Sequence, residues 1–96
     1  MKRPRNSAGP EIRRLRMQRE MTQPMLAAKC NLLGWNLSRE TLAKIETQVR
    51  WISDCELLCF ARALDVRVEV LLREKTLPAK TVAAFLRSHE SPPGDG

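Results

Sequence analysis

Apolar residues recur every three or four positions through most of the chain, which is the period of an amphipathic α-helix. Nowhere do apolar and polar residues alternate as they do in a half-buried strand, so we predict no β-sheet. A first helix is predicted from about Pro10 to Arg19, because proline followed by an acidic residue suits a helix start. Ile12 and Leu15 fall on one face of this helix and are expected to be buried.

Residues that cap helices place the next two elements. Thr22 is a suitable N-cap for a second helix, and Gly34 is expected at its end or just beyond it. Ser38 is the next N-cap and begins a third helix that ends near Glu46. The connection over residues 30–38 is long and apolar, so we expect it to pack against the core rather than to project into solvent. Its apolar residues are Leu32, Leu33, Trp35 and Leu37.

The fourth helix has the clearest start, because Ser53 and Glu56 form the S-x-x-E pattern of a capping box. Asp65 is expected to close this helix, and a short fifth helix follows. Beyond it, the segment LPAKTVAAFLRSHE is amphipathic and is a candidate sixth helix. The predicted fold class is all-α: a compact bundle of five short helices, with the C-terminal candidate in addition.

Changes in composition divide the chain into four parts. Residues 1–9 are expected to form a flexible basic arm, and residues 10–75 a single folded domain. Residues 76–88 form the amphipathic C-terminal segment, which we expect to contact a second copy or another partner. Residues 89–96 have the composition of a disordered tail.

Positive charge is concentrated in the first half of the chain. The 96 residues carry a net charge of +6. Residues 1–50 hold 11 Lys and Arg against 4 Asp and Glu, a net of +7, whereas residues 51–96 hold 6 against 7, a net of −1. A polyanion would bind the basic half. Because no apolar run approaches the roughly 18 residues of a membrane-spanning helix, and none follows the basic N-terminus, we expect a cytoplasmic protein.

Few residues in the sequence have the chemistry for catalysis or metal binding. The cysteines, Cys30, Cys55 and Cys59, are odd in number and are expected to be reduced and packed as small hydrophobic residues. The one histidine, His89, lies in the polar tail, and the sequence has no glycine-rich phosphate loop. We therefore predict no enzyme activity, no metal site and no cofactor.

Three blocks of the sequence, IRRLRMQREMTQPMLAAK, LSRETLAKIE and SDCELLCFARALDVRVEVLL, occur in a distinctive order and spacing. Together they resemble the lambda-repressor-like helix-turn-helix family, also called Cro- or XRE-type, over about residues 11–73. The resemblance implies that residues 10–75 are a DNA-binding domain that inserts its third helix into the major groove. It also implies a transcriptional regulator, in most cases a repressor, that binds double-stranded DNA as a homodimer.

The resemblance further implies roles for individual side chains. The base-contacting positions are Arg39, Glu40 and Lys44. Arg39 would bind guanine in bidentate fashion, whereas Glu40 would either accept from cytosine N4 or repel phosphate. Further side chains are expected to contact DNA phosphates: Gln23, Ser38, Thr41, Thr47, Gln48 and Arg50. Arg16 and Glu46 are expected to form a partly buried ion pair that fixes the angle between the first and third helices.

Several expectations concern residues at the margins of this pattern. Arg3 and Arg5 of the arm would either enter a minor groove or belong to a disordered tail. Trp51 is expected to pack under the loop after the third helix rather than to contact DNA. Glu20 stands where many family members have glycine, so the turn after the first helix is expected to close differently. The alternative function is an adaptor or antitoxin-like module that binds a protein through residues 76–88.

Overall fold

The computed structural model describes residues 4–72 together with Leu86. Within these residues the chain is all-helical and contains no strand, as predicted. The helices are α1 (Gly9–Gln18), α2 (Gln23–Leu32), α3 (Arg39–Glu46), α4 (Asp54–Ala63) and α5 (Val68–Leu71). None of the helices in this part of the chain is long and apolar enough to cross a membrane. The candidate sixth helix and the tail lie outside the described residues, apart from Leu86, which is helical and exposed.

Side-chain caps begin three of the helices at the residues that the sequence predicts. The hydroxyls of Thr22, Ser38 and Ser53 each accept a hydrogen bond from the backbone N–H three positions further on. Ser53 and Glu56 form a complete capping box, because the Glu56 carboxylate accepts from the Ser53 N–H at 3.1 Å. A cap of this kind contributes about 1 kcal/mol to stability. The start of α3 is therefore set by local interactions.

The first four helices end in the same way, in a Schellman motif, where two N–H groups bond back to carbonyls of the last turn. The residue after each C-cap has a positive φ. In α2 this residue is Gly34, with φ of 103°, whereas α1, α3 and α4 use Glu20, Gln48 and Asp65 at 55°, 66° and 54°. The expectation that Glu20 would force a different turn is therefore wrong. The chain makes the same turn with Glu20 in the left-handed region, where a side chain causes backbone strain.

The core lies where the five helices meet. Each helix contributes at least one fully buried side chain: Ile12 from α1, Leu26 and Cys30 from α2, Leu42 and Ile45 from α3, Phe60 from α4 and Leu71 from α5. Burying a side chain of this size contributes about 1.5–3 kcal/mol. Because α3 packs against both α1 and α2, its inward face is held by two helices.

Part of the long connection between α2 and α3 is folded onto the protein. The ring of Trp35 lies edge-on against Phe60, with centroids 5.1 Å apart and planes at 76°. Leu37 is buried. The Asn31 amide donates to the carbonyls of Ala27 at 2.7 Å and Leu37 at 3.0 Å. Asn31 thus joins the end of α2 to the start of α3 and fixes the conformation of the connection between them.

The first part of the same connection does not pack. Leu32 is 88% exposed and Leu33 is 50% exposed. The prediction of a packed apolar connection is therefore correct for its second half and wrong for its first half. The difference arises at Gly34, where the chain turns back toward the core. Leu32 and Leu33 precede this turn, at the end of α2, and stay exposed.

Residues 5–8, which precede α1, are bonded to the end of α3 and to the loop beyond it, so the prediction of a flexible arm is wrong for residues 5–9. Asn6 makes most of these bonds. Its Oδ1 accepts from the Gly9 N–H at 2.7 Å, and its Nδ2 donates to the carbonyls of Ile45 at 3.0 Å and Arg50 at 2.8 Å. The Gln48 amide donates to the Asn6 carbonyl at 2.9 Å. This segment therefore belongs to the folded domain.

Gly9 allows the start of α1 to approach the end of α3. A Cβ at this position would overlap the carbonyl oxygen of Ile45 and would lie 3.2 Å from that of Glu46. Any larger residue would push the two helices apart. The close approach brings the Asn6 amide within reach of the α3 carbonyls.

Candidate nucleic-acid interface

Helix α3 has one buried face and one open face. Its buried residues are at most 4% exposed: Leu42, Ile45 and Glu46. Arg39, Glu40 and Lys44 are exposed, and none of their side chains forms a hydrogen bond or ion pair with another described residue. At about 100° per residue these three side chains fall within an arc of about 140°. The structure therefore brings the three predicted base-contacting residues onto one open surface.

The ion pair that the resemblance implies between Arg16 and Glu46 is present and buried. The Nε and Nη2 atoms of Arg16 donate to the two carboxylate oxygens of Glu46 at 2.8 and 3.1 Å. The side chains are 11% and 1% exposed. Nη1 of Arg16 also donates to the Met21 carbonyl at 2.7 Å. The pair thus ties the last turn of α3 to α1 and to the turn before α2.

Gln23, which the resemblance places at a phosphate, is directed at this ion pair. Its Nε2 atom donates to Oε1 of Glu46 at 3.1 Å, and the side chain is half-buried. A buried carboxylate needs several donors to offset its desolvation, and Glu46 receives three. In this structure Gln23 supports α3, and one hydrogen of its amide is left for another acceptor.

Hydroxyl groups flank the open face at both ends of α3. The Ser38 hydroxyl accepts from the Thr41 N–H at 3.1 Å and donates to the Thr41 hydroxyl oxygen at 3.0 Å. At the other end, the Thr47 hydroxyl donates to the Ala43 carbonyl at 2.9 Å. Ser38 and Thr47 are exposed and Thr41 is half-buried. Thr41 therefore keeps its hydroxyl hydrogen for another acceptor, whereas Ser38 and Thr47 donate theirs within the protein.

The loop between α3 and α4 is fixed by an ion pair between Arg50 and Glu56. The two Nη atoms of Arg50 donate to the two carboxylate oxygens of Glu56, both at 3.0 Å, and Nη1 also donates to the Trp51 carbonyl at 2.9 Å. The hydrogen bonds from Arg50 hold the pKa of Glu56 below its usual value, with a smaller contribution from the Ser53 N–H. The same pairing raises the pKa of Arg50. Arg50 is therefore engaged within the protein.

The described chain begins beside this loop. The backbone N–H of Arg5 donates to the Gln48 carbonyl at 2.9 Å, and the Arg5 side chain is exposed. Arg3, the other residue assigned to the arm, lies outside the described residues. The N-terminal segment thus enters the fold next to the C-terminal end of α3.

Of the two tryptophans, Trp35 packs as predicted for the apolar connection, whereas Trp51 does not pack as predicted. Trp51 is 68% exposed, so the expectation that it packs under the loop is wrong. Trp35 packs on the core, in contact with Phe60. It follows Gly34 in the Schellman motif of α2, a position where an apolar residue often contacts the preceding helix. A glycine followed by an apolar residue at the end of α2 is thus the sequence feature that favours the packing of Trp35.

The cysteines are free thiols, and none is part of a disulfide. Cys30 is buried, Cys59 is half-buried and Cys55 is exposed, so the prediction of packed cysteines is wrong for Cys55. Burial and the neighbouring Cys59 thiol raise the pKa of Cys30 to about 12. Among the residues that the structure describes, no three His, Cys, Asp or Glu side chains are grouped so that they could hold a metal ion.

Two asparagines that support the open face were not identified from the sequence. Asn6 joins the N-terminal segment to the end of α3, and Asn31 joins α2 to the start of α3. Asn6 lies three residues before the bonded N–H of Gly9, a spacing typical of local asparagine caps, and this was a usable signal. The role of Asn31 could not be predicted from the sequence, because its partner, the Leu37 carbonyl, comes within hydrogen-bond distance only in the folded turn.

No known protein family, curated protein sequence or solved structure matches the chain. The function is therefore inferred from the geometry of α3 and of the residues that hold it.

Proposed function

We propose that this chain is a sequence-specific DNA-binding protein that regulates transcription, as a repressor, and that it reads the major groove with α3. The observation that carries the proposal is the division of α3 into a fixed inner face and an open outer face. Glu46 on the inner side is held by Arg16 and Gln23. Arg39 and Lys44 on the outer side are exposed and have no partner among the described residues.

The size and chemistry of α3 suit a DNA groove. An α-helix with its side chains is about 10–12 Å in diameter, and the major groove of B-DNA is about 12 Å wide. Arg39 can donate to O6 and N7 of one guanine, and Lys44 can contact a guanine further along the groove. Glu40 can accept from cytosine N4, and its negative charge disfavours positions close to phosphate.

Phosphate contacts would come from the ends of α3 and from the neighbouring loops. The hydroxyl hydrogen of Thr41 is available, whereas Ser38 and Thr47 donate theirs within the protein and would redirect them to a phosphate. Gln23, Gln48 and Arg50 already make internal hydrogen bonds and would use their remaining hydrogens. For Arg50, three of about five N–H groups are engaged within the protein. Contacts of this kind fix the position of the protein on DNA without reading sequence.

We further propose that the protein binds a two-fold DNA site as a homodimer in the cytoplasm. A single small module buries little surface on DNA, and pairing two modules is the usual route to tight binding. The amphipathic segment 76–88 is the proposed contact between copies. Sedimentation velocity with and without duplex DNA tests this point, and a monomer on DNA would contradict it.

A protein-binding adaptor is the second candidate, and exposed leucines favour it. Leu32 and Leu33 at the end of α2 are 88% and 50% exposed, and Leu58 on α4 is 52% exposed. Single exposed apolar residues are ordinary, whereas adjacent ones more often mark a protein contact. In this alternative, residues 76–88 would bind a protein partner, as in an antitoxin-like module.

Selection from a library of randomised duplexes tests the DNA-binding proposal, because it requires no assumption about the target sequence. The chain is expected to enrich one motif, and Arg39→Ala is expected to lose the preference at one base pair of it. Arg62→Ala is the matched control, because Arg62 is exposed on α4 and has no described partner. It removes the same charge and should leave the motif unchanged. Failure to enrich any motif would overturn the proposal and favour the adaptor.

A further inference from the structure

Asn36 is an exposed polar residue that is held in place immediately before α3. Its neighbours both point inward: Trp35 packs on Phe60, and Leu37 is 3% exposed. The Leu37 N–H donates to the Trp35 carbonyl at 2.8 Å, which closes a three-residue γ-turn with Asn36 at its apex. The side chain of Asn36 is therefore left on the outside of a fixed turn.

Hydrogen bonds on both sides anchor this turn to α2. The Trp35 N–H donates to the Cys30 carbonyl at 3.0 Å. The Leu37 carbonyl accepts from the Asn31 amide at 3.0 Å. Because the backbone on each side of Asn36 is already ordered, little backbone conformational entropy remains to be lost when its side chain binds a ligand.

Asn36 lies two residues before Ser38, the N-cap of α3. Ser38, Arg39 and Glu40 are exposed, and Asn36 precedes them with its amide also exposed. Within the described residues the Asn36 side chain makes no hydrogen bond, so its donor and its acceptor are both available. An asparagine amide in this state matches the N6 donor and N7 acceptor of adenine.

We propose that Asn36 is a fourth base-contacting residue, which recognises an A·T pair adjacent to the position read by Arg39. The inference rests on the proposed function, because it requires α3 to enter the major groove. The connection between α2 and α3 then adds a base contact to the recognition surface, and Trp35 and Leu37 fix the position of that contact.

The test compares wild type, Asn36→Ala and Gln18→Ala in selection from randomised duplexes. Gln18 is the matched control, because its amide is exposed at the end of α1 and has no described partner. Asn36→Ala is expected to lose the preference for adenine at one position of the motif by between about fivefold and about 150-fold, the range that a bidentate contact provides. Gln18→Ala should reproduce the wild-type motif. The thermal midpoint of Asn36→Ala should equal that of wild type.

The other outcomes overturn the inference in distinguishable ways. If Asn36→Ala enriches the wild-type motif at every position, Asn36 does not contact a base, and the proposed function stands through the effect of Arg39→Ala. A uniform loss of affinity across all sequences would assign Asn36 to a phosphate instead. A lowered thermal midpoint would assign it a structural role. If wild type enriches no motif, the inference and the proposed function fail together.

Discussion

The guanidinium of Arg16 and the carboxylate of Glu46 join α1 to the last turn of α3 through two hydrogen bonds of 2.8 and 3.1 Å. Both side chains are almost entirely removed from solvent. A buried ion pair adds little stability relative to an apolar pair, but removal of one partner leaves an uncompensated charge. The pair therefore fixes how α3 is oriented more than it strengthens the fold.

Replacement of Arg16 by methionine is expected to lower the free energy of unfolding by about 3–5 kcal/mol, because Glu46 would be left charged and buried. Urea unfolding measures the change. The double variant Arg16→Met, Glu46→Leu should be more stable than Arg16→Met alone. Arg13→Met is the control, since Arg13 is exposed on the same helix. Equal stability of Arg16→Met and wild type would contradict the assigned role.

Replacement of Asn6 by alanine is expected to destabilise the protein by about 1–3 kcal/mol, because the Gly9 N–H and two carbonyls lose their partner. Chemical unfolding measures the effect. Asn36→Ala removes the same side chain at an exposed site without internal bonds and should not change stability. If the two variants were equally stable, the N-terminal segment would not be held as described.

Replacement of Glu20 by glycine is expected to stabilise the protein by about 0.5–1 kcal/mol, because Glu20 has a φ of 55° at the end of α1. The midpoint of urea unfolding should rise. Glu20→Ala removes the same charge and keeps the strain, so it should give no gain. Gln48→Gly should increase stability less, because it also removes the hydrogen bond from the Gln48 amide to the Asn6 carbonyl. Stabilisation by Glu20→Ala as large as by Glu20→Gly would show that charge is the cause.

Protonation of Glu56 is expected to weaken the fold in acid. The hydrogen bonds from Arg50 lower the pKa of Glu56 in the folded protein below the ordinary 4.5. The pairing therefore contributes stability above that value and loses it as the pH falls through the folded pKa. The stability difference between wild type and Glu56→Gln should be present at about pH 7 and shrink below about pH 4.5. A difference that stays constant into strong acid would contradict this assignment.

The helix starts were predictable because their determinants are local. The hydroxyls of Thr22, Ser38 and Ser53 bond to N–H groups only three residues away, so the pattern is visible in the sequence. The pairing of Arg16 with Glu46, 30 residues apart, follows only from the family resemblance. Composition and helical periodicity gave no indication of it.

Long-range contacts account for what was not predicted. Asn6 bonds to a carbonyl 44 residues away, and Gly9 is needed because α3 lies directly against it. Both features depend on how α1 packs on α3. Trp35 and Trp51 look equally suited to the core in the sequence, and the turn at Gly34 decides between them, because it directs Trp35 onto Phe60.

The affinity of the purified protein for the selected duplex and for a scrambled duplex of the same composition, measured across several salt concentrations, tests the central claim most directly. We predict that the selected duplex binds more tightly by about a thousandfold or more, and that Arg39→Ala reduces this ratio. Affinity for both duplexes should fall as salt rises, because phosphate contacts release counterions. Equal binding of the two duplexes, or binding to neither at low salt, would contradict the claim that α3 reads DNA sequence.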